Sequence, residues 1–407
     1  MVAHGLTASR PVLFLSHEAT RSGAPLVLLN LLRWLRAHTD LPMRIVLFQD
    51  GPLAGEFADL APTTVLNSIG IGRSQLLRRI GRIPVAGQML KHCWHRLLGP
   101  HLVRRDNGGS RLPALIYANT VGTARLIRQL APPGVPLLVH VHELERAIRI
   151  AAGDDGMAAL KARAARFIAI SAPVRDNLIL RHGIDADRIE LIPSFITWDQ
   201  QTIAHAQQFA RQARQRLNIP ADALVIGGCG ATDWRKGADL FVEMAIEVSR
   251  QLSPATVHFV WVGPVLDDDF TNSIMRRVRS SGIGSSLHFV GEHSKPMQVF
   301  CAMDVFVLSS REEPLGLVGL EAASLGKPIV CFAGAGGMPD FVGDDCGRVV
   351  APMTPQALAQ AVIELGRSAP LRDQMGRCGM QRVRQRHLID AVAPQILELI
   401  RQLASRN

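Results

Sequence analysis

Two glutamates eight residues apart, Glu313 and Glu321, bracket the run Gly316-Leu317-Val318-Gly319-Leu320. The apolar stretch 305–308 ahead of them has the pattern of a buried strand. Two serines, three charges and Pro314 interrupt it, and a helical pattern opens near Gly316. At such a strand–loop–helix junction the first helical amides lack intrahelical partners and can hold an anion. Gly316, Leu317 and Val318 would supply those amides. Glu313 would stand at the mouth of the loop, and Glu321, four residues beyond Leu317, one turn down on the same face. Amides suit a diphosphate and carboxylates suit sugar hydroxyls; a site with both has the chemistry of a nucleotide-sugar enzyme.

A second group is cationic. The apolar run 224–230 leads into Ala231-Thr232-Asp233-Trp234-Arg235-Lys236-Gly237, and a helical pattern follows. Arg235 can fork onto two phosphate oxygens and Lys236 adds a point charge. An Arg-Lys pair by itself is common in solvated loops; at the C-terminal edge of a strand, opposite the Glu313 loop, it reads as a diphosphate site. Histidines close a third strand, 137–142, at the edge where α/β sheets bind ligands. Side-chain alternation is expected to let only one of His140 and His142 line the site. Near the N-terminus, Ser22-Gly23-Ala24 precedes a helical pattern, and Gly23 would allow close approach of a ligand to the backbone. Asp267-Asp268-Asp269 opens another helix, where acids favour the helix dipole, and no metal site is expected there.

Strand–helix alternation has to position these groups. Strands are expected at 12–15, 44–48, 63–66, 114–117, 137–142, 167–171 and 189–193, with the first helix at 26–35. A second series runs through 224–230, 257–262, 287–292, 305–308 and 329–332, with helices between. Helical patterns span 203–217 and, in pieces, 371–403. Two such series imply an α/β chain of two Rossmann-like, doubly wound parallel-sheet domains facing a cleft. The expected division is 1–195, 196–380, and a terminal helix in 381–407 that packs back on the first domain. The rhythm breaks at 70–111, where nine arginines and lysines are set against Asp106 alone and interleaved with Leu, Ile and Trp. That pattern fits an interfacial helix on anionic lipid, or an inserted helical pair packed on its domain.

The chain of 407 residues carries a net charge of +10, which admits nucleic acid, anionic lipid or a phosphorylated substrate as partner. With Tyr117 its only tyrosine and aromatics at 5%, it is poorly equipped to stack single-stranded bases, and no nucleic-acid partner is expected. Six cysteines without a Cys-x-x-Cys pair read as buried thiols of a reducing compartment. The segment 12–15 is too short for the apolar core of a signal peptide, and no apolar run has membrane-spanning length. A cytoplasmic protein is expected, with a peripheral place on the inner face of a bacterial plasma membrane if 70–111 binds lipid.

Glu313-Pro-Leu-Gly-Leu-Val-Gly-Leu-Glu321-Ala resembles the Glu-x-Phe-Gly-Leu-x-x-x-Glu-Ala stretch of the GT-B retaining glycosyltransferases of family 4 (glycosyl transferases group 1), with Leu315 in the aromatic position. Ser22-Gly23-Ala24 is similar to that family's turn after the first strand, and His142-Glu143 to its cleft histidine. Lys236-Gly237 matches the family's Lys-Gly. Its usual arginine falls on Ala231 or Thr232, and Arg235 stands beside the lysine instead. An Asn-Gly turn typical after Pro193 is replaced by Ser194-Phe195. The resemblance implies a metal-independent, retaining hexosyl-type transferase without cofactor. Its donor is a nucleoside-diphosphate sugar, UDP- or GDP-linked. The basic, apolar insertion 70–111 points to a glycan or lipid-linked acceptor in cell-envelope polysaccharide or lipopolysaccharide synthesis. Glu313 would hold donor-sugar hydroxyls, Glu321 the ribose, and Arg235, Lys236 and the amides at Gly316, Leu317 and Val318 the diphosphate. Gly23 would approach the donor, and His142 would contact the donor sugar or position the acceptor. A nucleotide-sugar epimerase of similar fold and a non-catalytic sugar-nucleotide-binding protein are the alternatives. A dinucleotide oxidoreductase would need Gly-x-Gly-x-x-Gly after the first strand, which is absent after Leu15.

Overall fold

A computed structural model describes residues 10–67, 112–252 and 257–405. The basic segment 70–111, with Cys93 and its expected lipid contact, lies outside the described residues. The chain divides into two compact units, Met1–Pro193 joined by Ile389–Asn407, and Ser194–Leu388.

The first unit holds seven strands: β1 (Val12–Ser16), β2 (Met43–Leu47), β3 (Thr63–Val65), β4 (Leu115–Asn119), β5 (Leu137–Val141), β6 (Arg166–Ala169) and β7 (Ile189–Leu191). They pair in the order β3-β2-β1-β4-β5-β6-β7, all parallel. β1, β4 and β5 are buried along their whole length. Near-continuous apolar runs are what a parallel sheet covered on both faces requires. The helix Gly23–His38 buries Val27, Leu28, Leu31, Leu32 and Leu35, a stripe at helical spacing. The chain's last helix, Ile389–Ala404, packs on it and buries Val392, Ile396, Leu397, Ile400 and Leu403. Trp34 Nε1 donates to Asp390 Oδ1 at 2.8 Å between them.

The second unit holds β8 (Leu224–Cys229), β9 (Val257–Val262), β10 (Leu287–Gly291), β11 (Val305–Leu308), β12 (Ile329–Phe332) and β13 (Gly347–Val350). Their order is β10-β9-β8-β11-β12-β13, again all parallel. One face of this sheet is covered by Ala238–Gln251, whose Phe241 meets Phe259 and Trp261 with ring centroids 6.5 and 5.1 Å apart. Where the chain enters and leaves the unit, Ile196 forms a parallel bridge with Leu388, and His387 Nδ1 lies 2.9 Å from the Ser194 carbonyl.

In both sheets the order reverses beside the first strand, between β1 and β4 and between β8 and β11. Crevices at such switch points, beyond the carboxyl ends of the strands, are where open α/β sheets take ligands. The loops there are 17–22 and 120–123 in the first unit, and 230–237 and 309–316 in the second.

Several boundaries depart from the sequence reading. The first helix opens at Gly23, three residues before 26, because Pro25 is tolerated within a first turn that needs no amide there. The pattern 203–217 is two helices, Gln200–Ala204 and Ala206–Arg216, broken at His205. Helices Glu145–Ala151 and Gly153–Arg163 and strand β13 have no counterpart in the sequence reading. All five described cysteines are free thiols. Asp268 is an N-cap, accepting from the Thr271 amide at 2.7 Å. Among the described residues no cluster of three metal-ligating side chains occurs, and no helix is long and apolar enough to cross a membrane.

Candidate functional site

At the switch point of the second sheet, the loops after β8 and β11 are sewn together by Arg311. Its amide donates to the Arg235 carbonyl at 2.8 Å. Its guanidinium forks onto both carboxylate oxygens of Asp239, at 2.8 and 2.6 Å, and donates to the Trp234 carbonyl. It also stacks over the Trp234 ring, 5.0 Å from the centroid. Gly237 closes the first loop at φ +68°, and a β-carbon there would lie 2.0 Å from the Ser309 carbonyl oxygen. Only glycine permits that approach, so the position of Lys236 depends on it.

Lys236 Nζ then reaches Glu313 Oε2 at 2.5 Å, and Arg235 Nη1 lies 3.9 Å from the same oxygen. Ser310 Oγ donates to it at 3.0 Å. Arg235 also donates to the Glu312 carbonyl at 3.2 Å. Glu313 is 7% exposed. Burial alone would raise its pKa, but the charges of Lys236 and Arg235, with the bonds from Lys236 and Ser310, hold it below the usual carboxylate range. Its backbone is braced by the glycine-rich loop after β12: the Glu313 amide donates to the Ala335 carbonyl, and the Gly337 amide donates to the Glu313 carbonyl. Those glycines serve a turn that pins the Glu313 loop.

Gly316, left-handed at φ +88°, immediately precedes the helix Leu317–Ser324. It has no side chain with which to cap the amides of Leu317 and Val318. The next two amides, of Gly319 and Leu320, turn back to the Gly316 carbonyl. Glu321 lies one turn further, half-buried. Among the described residues no side chain hydrogen-bonds its carboxylate; burial, and then the charge of Asp199, push it up to about 7. Arg235, Lys236, Glu313, Gly316, Leu317 and Val318 are thus brought together, with Glu321 beside them.

At the first sheet's switch point the polar groups are wired partly to one another and partly to backbone. Glu18 gathers the loop after β1, accepting from Thr20 Oγ1 at 2.7 Å and Ser22 Oγ at 3.0 Å, with His17 Nε2 at 3.4 Å. Gly23 follows, exposed at the helix start. Asn119, fully buried at the end of β4, donates from Nδ2 to the Ala24 carbonyl at 3.0 Å. Its Oδ1 lies 2.9 Å from His142 Nε2. Ala24, the neighbour of Gly23, and His142 are therefore joined by a residue that the sequence reading does not single out.

His140 and His142 are not divided by strand alternation. Residues two apart share a face, and their ring centroids lie 4.0 Å apart. Depth separates them. His140 is 1% exposed with Nδ1 at 2.6 Å from the Tyr117 hydroxyl, while His142 is half-buried past the strand end. Burial, then nearby His17, lowers the His142 pKa to about 3, so the ring is neutral at ordinary pH. Glu143 accepts from the His142 amide at 2.8 Å and also from Val121 and Thr120; burial opposes these bonds and pushes it up to about 7. Thr120 itself holds φ +86°, an uncommon conformation for a β-branched residue.

Ser310, Asn119, Glu18 and the Arg311–Asp239 pair complete these two sets. Ser310 alone could have been found, three residues before Glu313 in a loop that needs donors.

Two family models match the chain: Glycosyl transferases group 1 over residues 223–368, and Glycosyl transferase 4-like domain over residues 22–194. The lipopolysaccharide core biosynthesis mannosyltransferase LpsB of Rhizobium meliloti is 26% identical over 254 residues, 61% of this chain and 66% of that protein. Mannosylfructose-phosphate synthase of Agrobacterium fabrum is 27% identical over 249 residues, 58% of this chain and 53% of that protein. The matches thus span between about half and two thirds of these relatives' own length. Among solved structures, HepE of Anabaena in complex with UDP and glucose superimposes with a TM-score of 0.73 at 20% identity, covering 97% of this chain and all of that one. WaaG, a glycosyltransferase involved in lipopolysaccharide biosynthesis, gives 0.70 at 15% identity, covering 96% and 99%.

Proposed function

The chain belongs to the GT-B glycosyltransferases of family 4, the glycosyl transferases group 1, and from that premise we propose that it transfers a hexose, with retention, from a nucleoside-diphosphate sugar to a glycan or lipid-linked acceptor. The observation that carries the reading is the buried Glu313 carboxylate, held by Lys236 and Ser310 beside the uncapped helix start at Leu317 and Val318. A nucleotide sugar asks for that combination: fixed cations and amides for the diphosphate, and a carboxylate for hydroxyls next to it.

Lys236, Arg235 and the amides of Leu317 and Val318 stabilise the charge that grows on the departing diphosphate, the electrostatic work a metal does in other transferases. The reaction then needs no metal and no cofactor. Glu321 holds the ribose hydroxyls, since an open carboxylate accepts two donors at once. Glu313 orients the donor sugar. His142, with its low pKa, is a hydrogen-bonding contact and not a general base. Double displacement needs a carboxylate nucleophile at the anomeric carbon. Glu313 is committed to Lys236, so same-face attack by the acceptor hydroxyl is the mechanism we favour. In this scheme the second unit binds the donor and the first serves the acceptor, with Gly23 approaching the donor and His142 contacting the donor sugar or positioning the acceptor hydroxyl.

The acceptor belongs to cell-envelope polysaccharide or lipopolysaccharide synthesis, at the cytoplasmic face of a bacterial plasma membrane. The names of LpsB and WaaG support that assignment. UDP is the first base to test, because HepE binds it.

The test is a thermal-shift panel of UDP, GDP, dTDP and ADP with EDTA and with Mg²⁺. Stabilisation grows with ligand concentration over Kd. One nucleotide stabilising equally in EDTA is expected; no shift with any would overturn the donor site. Glu313→Ala should lower turnover roughly a hundredfold while the donor Kd changes little; unchanged turnover removes Glu313 from the mechanism. Epimer formation without acceptor, or binding without turnover, would replace transfer by epimerisation or sensing.

A further inference from the structure

We propose that Asn119 is a positioning residue that locks His142 in the Nε2–H tautomer, leaving Nδ1 as a bare acceptor for a substrate hydroxyl. The inference begins at Ala24. Its backbone carbonyl can only accept, so the Asn119 atom 3.0 Å away must be the amide nitrogen. The amide oxygen then faces His142 Nε2 at 2.9 Å, and an amide oxygen can only accept as well. His142 Nε2 must therefore carry the ring proton. A neutral imidazole has one N–H, so Nδ1 keeps its lone pair. Three groups in a row, each with a single permitted role, fix the ring proton on Nε2.

The neighbouring groups are accounted for except His140 Nε2, which is buried without a partner on a ring 4.0 Å from that of His142. His140, on the same strand, has Nδ1 bonded to the Tyr117 hydroxyl. His17, from the loop after β1, faces Thr120 Oγ1 and Glu18. Glu143 takes the His142 backbone amide, not the ring. Asn119 is wholly buried, so water does not compete for its amide. Burial also keeps the ring from taking a second proton near neutral pH. A sugar hydroxyl arriving at His142 thus finds an acceptor only and must donate. That a sugar is what arrives rests on the proposed transfer reaction; the tautomer does not.

The experiment is long-range ¹H–¹⁵N spectroscopy of the full chain labelled at histidine, with the His142 signals identified by their loss in His142→Gln. Expected is one protonated and one bare ring nitrogen from pH 6 to 8, with Nε2 protonated. Asn119→Leu should give averaged nitrogens or the opposite tautomer. Asn119→Asp keeps the shape, and its carboxylate should bring the ring's titration up into the measured range. A wild-type Nδ1–H tautomer, or an unaltered Nε2–H signature in Asn119→Leu, would overturn the proposal. Turnover with a nucleotide sugar should fall about tenfold in Asn119→Leu, the worth of one hydrogen bond. Wild-type protein that turns over no nucleotide sugar yet shows the expected tautomer would sink the transfer reaction and leave the lock standing.

Discussion

The two sheets share one strand order up to the seventh strand, yet their switch points are built from opposite materials. In the second unit the loops meet through charge: Lys236 and Arg235 on Glu313, and Arg311 on Asp239. In the first, among the described residues, they meet with no Lys or Arg on a carboxylate: Asn119 on the Ala24 carbonyl, Glu143 on the amides of His142 and Val121, and Glu18 on the hydroxyls of Thr20 and Ser22. A charged edge can exchange its internal partner for an ionic ligand. An edge tied by directed hydrogen bonds fixes donor and acceptor directions, which suits hydroxyls. Topology places both, and chemistry distinguishes them.

The contrast breaks most sharply at Lys236. Lys236→Ala leaves a buried carboxylate without its closest cation, and a loss of about 3–5 kcal/mol in stability is expected from chemical denaturation. Adding Glu313→Gln should restore most of that stability, but not the thermal shift with nucleotide. If the double variant still binds nucleotide as the wild type does, the cation serves the fold alone.

The half-buried glutamates sharpen the comparison next. Glu321 and Glu143 both stand near 7, raised from 4.5 chiefly by burial. A carboxyl whose pKa is raised in the folded state binds more protons there than in the unfolded chain. Its contribution is fully present below about 4.5 and lost as pH rises through about 7. Melting temperature should therefore decline from pH 5 to 8, and Glu321→Gln should flatten part of the decline. If Glu321 accepts ribose hydroxyls it must ionise, so nucleotide-sugar affinity should rise up to about tenfold between pH 6 and 8. Glu321→Gln should abolish that rise; a slope that survives it belongs to another group.

The smallest effect is expected at Gly23. An alanine at this exposed first helical position should raise stability by about 0.5–1 kcal/mol. Reduced turnover alongside that gain would identify a backbone that a ligand must approach. Unchanged turnover would leave Gly23 as an ordinary helix start.

Much of this architecture was legible in residue order. The run 305–308 coincides with β11, and the helix opens one residue after Gly316, because a fully buried strand followed by a left-handed glycine carries its own local signal. The pairing of Arg235-Lys236 with Glu313 follows from two loops flanking one switch point. Asn119 was not legible, because its partners stand 95 and 23 residues away and no local pattern marks an amide that bridges them. The histidines were misread for a simpler reason: a period of two puts His140 and His142 on one face. Nor does sequence reveal that burial leaves the His142 ring neutral, since that depends on what surrounds it in space.

The return of Ile389–Ala404 to the first unit has a consequence for biosynthesis. A ribosome delivers β1 to β7 early, but the helix that packs on Gly23–His38 emerges only after the whole second unit has been made. Domains generally mature in the order of translation. Here that order is interrupted, and the nascent first sheet waits with a greasy flank uncovered while some two hundred codons are read. Premature termination anywhere downstream would strand it in that state. The segment synthesised first is the one completed last, and quality control has the length of an entire domain in which to find it.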